Sequence, residues 1–271
     1  MIAAAPATGP GGALRRLVPA AAVVIATMIA ATPAVAGCGG ADLGGGEVAG
    51  AIDARTLRLA DGREVRLAGL APLAVDGAAL ARFAGRRVTL RGSDMPDRYG
   101  RQTLIVVAEG EVASIQAGLI GEGAALRSGL VTEPGCAAEL TAAEAVARKA
   151  GTGVWSDPAF IKSAERPQDI LAKLGQFAIV EGEVRSVRVA GATVYVDFGR
   201  RWTRDFAVTI PQRFAAGFTA AGLAPASLTG RRVRVRGIVG RRGGPRIEAV
   251  RPGQIELVDA LRGATGQRER P

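Results

Sequence analysis

Between residues 47 and 107 apolar and polar positions alternate in short runs. Glu47–Ile52 and Thr56–Leu59 are β-prone, and Asp61-Gly62 is a hairpin signal leading into Glu64–Leu70. Asp76–Ala84 reads as a short helix capped by Asp76. Arg86–Leu90 and Gln102–Val107 return to strand character. Ser114–Gly121 and Ala137–Ala150 carry helical periodicity, the second Ala-rich with Glu139, Glu144, Arg148 and Lys149 as a polar face. Three strands, a helix, two strands and terminal helices predict a small barrel with helices packed against it.

The pattern restarts after Trp155–Asp169, whose Pro158 and Pro167 predict a linker over residues 157–168. Phe177–Val189 and Ala192–Phe198 are β-rich runs around Ala190-Gly191, with alternation at Val194, Val196 and Phe198. Asp205–Ile210 is a third strand, and Pro211–Ala221 is a helix with proline in its first turn. Arg231–Val239 and Pro245–Val250 follow as strands joined by Gly240–Gly244, and Gln254–Val258 ends the pattern. This is again the order of an oligonucleotide/oligosaccharide-binding (OB) barrel. The expected fold is therefore mainly β with helices, as two OB-type five-stranded barrels in series over residues 47–156 and 169–260. Residues 37–46 are a Gly-rich tether and 261–271 a disordered tail.

Composition narrows the chemistry. The 271 residues are 48% hydrophobic and 22% charged, which excludes bulk disorder. There is no histidine, so Ser-His-Asp and Cys-His triads and histidine metal sites are excluded. The net charge of +10 is uneven. Gly39–Ser156 holds 13 basic and 14 acidic residues, whereas residues 157–271 hold 20 basic and 11 acidic ones. A polyanionic partner is thus an expectation for the second half.

Arg15 and Arg16 precede the mostly apolar Leu17–Ala31 and then Pro33-Ala34-Val35-Ala36, so residues 1–36 read as a signal peptide and the protein as exported, periplasmic or in the cell envelope. Cys38 has two rival uses. Val35-Ala36-Gly37-Cys38 is lipobox-like, which would anchor Cys38 to a membrane; an exported protein with two cysteines otherwise pairs them, here Cys38 with Cys136.

Ile52-Asp53-Ala54-Arg55-Thr56-Leu57-Arg58-Leu59, Val65-Arg66-Leu67-Ala68-Gly69-Leu70, Asp97-Arg98-Tyr99-Gly100-Arg101 and Ala143-Glu144-x-x-Ala147-Arg148 through Gly153-Val154-Trp155 together resemble the staphylococcal nuclease (thermonuclease) family. The resemblance spans roughly residues 47–156 and implies an OB barrel and calcium-dependent phosphodiester hydrolysis. The catalytic positions depart from that pattern. The family's second aspartate falls at Arg55, its next calcium ligand at Ala71 or in a deletion, and its general-base glutamate at Leu73 or Ala74. Its two phosphate-facing arginines fall at Arg66 and Arg101, both present. With calcium ligands and base missing, neither metal nor cofactor is expected, and the domain reads as a catalytically inactive relative. A nuclease with a rearranged site is the enzyme alternative.

Seven of the eleven aromatic residues lie between Phe177 and Phe218, including Tyr195 and Trp202, and eight arginines fall between Arg231 and Arg251. In Arg232-Val233-Arg234-Val235-Arg236 the arginines share one strand face. Tyr195, Arg200, Arg201, Trp202, Arg234 and Arg236 are accordingly the candidates for stacking bases and tracking phosphates. A merely solvated basic face, or an envelope protein partner, are the competing readings.

Overall fold

In the computed structural model, Met1 and residues 38–72, 78–93 and 100–258 are described. The expected leader at 2–36, Leu73, Ala74 and Asp76, Asp97-Arg98-Tyr99 and the tail from 261 lie outside these residues. The first module contains β1 (Ala41–Asp53), β2 (Thr56–Leu59), β3 (Glu64–Leu67), α1 (Ala78–Ala81), β4 (Arg87–Gly92), β5 (Gln102–Ala108), α2 (Ile115–Gly121) and α3 (Pro134–Ala150). The strands close into a barrel in the order β1-β2-β3-β5-β4. Closure depends on the length of β1: Ala41–Glu47 pairs with β4, and Val48–Asp53 pairs with β2. Leu57, Leu59, Val65, Leu67, Leu90 and Leu104 fill the interior.

The Gly-rich run expected as a tether is instead the first half of β1. A side chain at Gly45 would collide with the Val88 carbonyl, so bare backbone lets the strand lie against β4. Ser114 caps α2, its Oγ accepting from Ala117 N at 3.1 Å. Glu133 caps α3, accepting from the Gly135 and Cys136 amides, with Pro134 in the first turn.

The second module comprises β6 (Lys162–Ser163), α4 (Pro167–Leu171), β7 (Phe177–Glu183), β8 (Ser186–Ala190), β9 (Thr193–Asp197), β10 (Ala207–Pro211), α5 (Gln212–Ala220), β11 (Arg232–Arg242), β12 (Gly244–Glu248) and β13 (Ile255–Leu257). They form one eight-stranded sheet ordered β6-β7-β11-β12-β10-β9-β8, with β13 on β11. The run Phe177–Val189, expected as one strand, breaks between β7 and β8. At the break Val184 N donates to Arg231 O, while Arg185 N donates to Asp197 O, so pairing passes from one neighbour to another. Val180, Val196, Val208, Val233, Val235 and Ile247 are among the residues of the core.

Residues 157–168 are not a free linker. They contain β6, which pairs in parallel with β7, and the start of α4. Just ahead of and within them, Trp155, Phe160 and Ile161 pack with Ala71 and Leu126 of the first module and Phe177 and Ile179 of the second. This shared apolar patch joins the modules.

Candidate functional site

The expectation for β11 is overturned on one face. Val233 and Val235 fill the core, but of the three alternating arginines only Arg232 faces water; Arg234 is buried and Arg236 is 0% exposed. Arg236 Nη1 reaches Glu144 Oε1 at 2.8 Å and the Arg127 carbonyl at 3.1 Å, and its Nη2 lies 3.4 Å from Glu256 Oε2. Arg127 Nε donates to Glu144 Oε2 at 2.8 Å, and Arg148 Nη2 to Glu256 Oε1 at 3.0 Å. Arg234 Nη2 donates to Glu181 Oε2 at 2.9 Å. Glu144, expected on a wet helix face, is fully buried among these guanidiniums. Burial, then the Arg236 charge, lowers the pKa of Arg127, while Glu144 and Glu256 oppose the shift. Arg236 therefore ties the second module to the first, Arg234 is paired within the second module, and neither is available to a ligand.

Arg55 and Arg66 line a cleft of about 560 Å³ in the first module, together with Arg91, Gly39, Glu133 and Cys136. Burial and the neighbouring Arg66 lower the Arg55 pKa, opposed by Asp53, with Arg101 adding to the repulsion. The positions expected to bind phosphate thus share one field with Arg55. Burial works to raise the Asp53 pKa, but hydrogen bonds from the Arg55 amide and Thr56 and the charges of Arg66 and Arg55 hold it below the ordinary carboxylate range. Cys38 and Cys136 are joined in a disulfide, and the Cys38 carbonyl accepts from Arg91 Nη1 at 3.2 Å. The Cys38 Sγ is thus paired within the chain.

The donor set does not suit calcium. Ala71 offers no side-chain oxygen, Arg55 brings a cation, and Asp53 is surrounded by arginines that repel a divalent ion. Among the described residues, Cys38, Glu133 and Cys136 are the one group of three potential ligands, and both sulfurs are in the disulfide. Charge complementarity favours an anion.

A second site lies on the outer face of β8, β9, β10 and β12. Strand register sets Ser186, Asp197, Ala207 and Arg246 in one row across the sheet, and Arg188, Tyr195, Thr209 and Glu248 in the next. Directly opposed residues share a face, so both rows point away from the valine-rich core. Small Ala207 leaves a hollow, and Arg188, Tyr195, Asp197, Trp202, Thr209 and Arg246 line a cleft of about 320 Å³ over it. Arg188 stacks 4.2 Å from the Tyr195 ring centroid and donates through Nε to Asp197 Oδ2 at 3.0 Å. Trp202 is 65% exposed. Adjoining clefts bring Arg185, Arg200, Arg201 and Arg204 beside Trp202 and Asp205.

No protein-family model and no curated protein matches this chain. The site must therefore be read from its chemistry. Of the sequence candidates, Tyr195, Arg200, Arg201 and Trp202 gather at this face, and Arg234 and Arg236 do not. Arg188, Asp197, Arg242 and Arg246 were not anticipated. Period-two alternation in Val194-Tyr195-Val196-Asp197 could have placed Asp197 beside Tyr195, but the rows across strands depend on register.

Proposed function

We propose that this protein is an exported, non-hydrolysing binder of single-stranded nucleic acid, with the second module as its principal binding surface. The outer face carries this reading: an exposed indole and a tyrosine sit among arginines on the open side of a strongly paired sheet. Bases can stack there in any sequence while guanidiniums follow the phosphates. None of Arg200, Arg201, Arg204, Arg242 and Arg246 makes an ion pair among the described residues, so their charge is available to a polyanion.

The pairing order supports a further element of the reading. If β7 and β8 are taken as two halves of one bent strand, the second sheet repeats the sequence of contacts of the first barrel, including its parallel pair, β10 with β12. We infer that the second module is an OB-type barrel opened at Val184–Arg185. Arg55, Arg66 and Arg91 give the first module a cleft suited to phosphate, without the carboxylates that hydrolysis would use. The resemblance to thermonucleases accords with a barrel that keeps the phosphate contacts and has lost the chemistry. The basic, apolar and small-residue segments at 15–36 support export.

Equilibrium binding of a fluorescent oligothymidylate over a salt series tests the reading. With three or four phosphates neutralised, log affinity falls against log salt with a slope of about −2 to −3. Trp202→Ala weakens binding by about 1–3 kcal/mol at unchanged slope. Absence of binding at low salt would overturn the proposal. Calcium-dependent cleavage by the pure protein that Arg66→Ala abolishes would overturn its non-hydrolysing part.

A further inference from the structure

The cleft on the outer face contains two polar atoms without partners. Asp197 Oδ1 and Thr209 Oγ1 are both sealed from solvent and make no hydrogen bond, although Asp197 Oδ2 is held by Arg188. The Asp197 side chain is 10% exposed, and both residues line the cleft. A carboxylate oxygen can only accept, and a buried acceptor without a donor is destabilising.

The missing donor is not a free cation. Arg188, Arg242 and Arg246 outnumber Asp197 and Asp205 in the lining of the cleft, and the net positive field opposes an amine or metal ion. What fits is a neutral N–H carried by a group whose remainder is anionic, flat enough to lie against Trp202. A nucleotide base meets each condition. Among the bases, guanine presents two adjacent donors, N1–H and the N2 amino group, one for the open Asp197 Oδ1 and the other for the lone pair that Arg188 leaves on Oδ2. Adenine and cytosine place a ring-nitrogen lone pair beside their amino group. Thymine and uracil flank a single N–H with two carbonyls. Each of these sets a lone pair against Asp197.

We propose that Asp197, assisted by Thr209, makes this cleft a guanine-selecting subsite, with Trp202 as the stacking platform for that base. The inference rests on the reading of the second module as a single-strand binder. It adds base preference to a surface otherwise indifferent to sequence.

The test uses the full chain with its disulfide intact and short oligothymidylates carrying one central guanosine, adenosine, cytidine or inosine. Fluorescence anisotropy at fixed salt gives the affinities. The guanosine oligomer binds about tenfold tighter than the adenosine one, as a two-donor contact to a buried acceptor implies. Inosine, which lacks the 2-amino group, falls between them. In folded Asp197→Asn the guanosine preference over adenosine shrinks to about twofold or less. The inosine result needs no variant, so it decides the matter even where Asp197→Asn fails to fold. Equal wild-type affinity for guanosine, inosine and adenosine, or a preference that survives in folded Asp197→Asn, overturns the subsite and leaves single-strand binding standing. Failure to bind any of these oligomers at low salt overturns both.

Discussion

Glu144 is the residue on which most of the buried charge converges. Its two carboxylate oxygens each meet a guanidinium at 2.8 Å, Arg127 on one side and Arg236 on the other. Neither arginine can turn to water, because both are buried. Glu144→Gln keeps the shape and removes the charge, leaving two guanidiniums to share what Glu256 offers. It should lower the unfolding free energy in urea by about 3–5 kcal/mol, the scale for breaking a buried pair from one side. Glu133 is half-buried, at the start of α3. The amides of Cys136 and then Gly135 hold its carboxyl below the usual range, opposed by burial. A depressed folded pKa stabilises above the unfolded value and loses that contribution as pH falls through the folded one. Urea titrations should therefore show stability declining below about pH 4.3, the ordinary glutamate value, and Glu133→Gln should flatten that part of the profile.

At the level of elements, β11 shows both what the sequence reveals and what it conceals. Alternation alone separates Val233 and Val235 from the three arginines, and that separation is present in the structure. Which face is wet does not follow from alternation. It depends on Glu144, Glu181 and Glu256, supplied by α3, β7 and β13, far away along the chain. The same limit applied at Gly44-Gly45-Gly46, where composition suggests slack chain and pairing with β4 makes a strand. It applied again to the candidate site. Tyr195 and Trp202 are visible as aromatic residues among arginines, whereas Asp197 and Arg246 become neighbours only through the β9–β10–β12 register. The disulfide fastens the segment before β1 to the first turn of α3 across a separation of 98 residues. Cys136→Ala should cost up to about 4–5 kcal/mol of stability in urea by the loop-entropy argument. Because Arg91 is tied to the Cys38 carbonyl, the arginine cleft should also bind inorganic phosphate more weakly in that variant.

Across the whole molecule, the two modules meet through an apolar patch around Trp155 and a charged seam around Arg236. Their backbones also touch: Gly129, at φ +77°, lies against Gly253, and a Cβ on Gly253 would come within 2.7 Å of the Gly129 carbonyl. Gly129→Ala would combine a left-handed backbone with a collision against Gly253, so it should destabilise the full chain by more than about 1 kcal/mol. A fragment of residues 169–260, which the pattern of apolar runs would suggest as a separate domain, leaves Arg236 without Glu144 and bares Phe177 and Ile179. That fragment should show no cooperative urea transition, while the full chain unfolds in one. The seam has a thermal consequence of its own. Withdrawing ions from water costs less as temperature rises, while the gain from burying hydrocarbon levels off. A junction built largely of arginine and glutamate thus strengthens relative to the valine- and leucine-filled interiors on heating, and in hot solution the modules should melt from within while still joined.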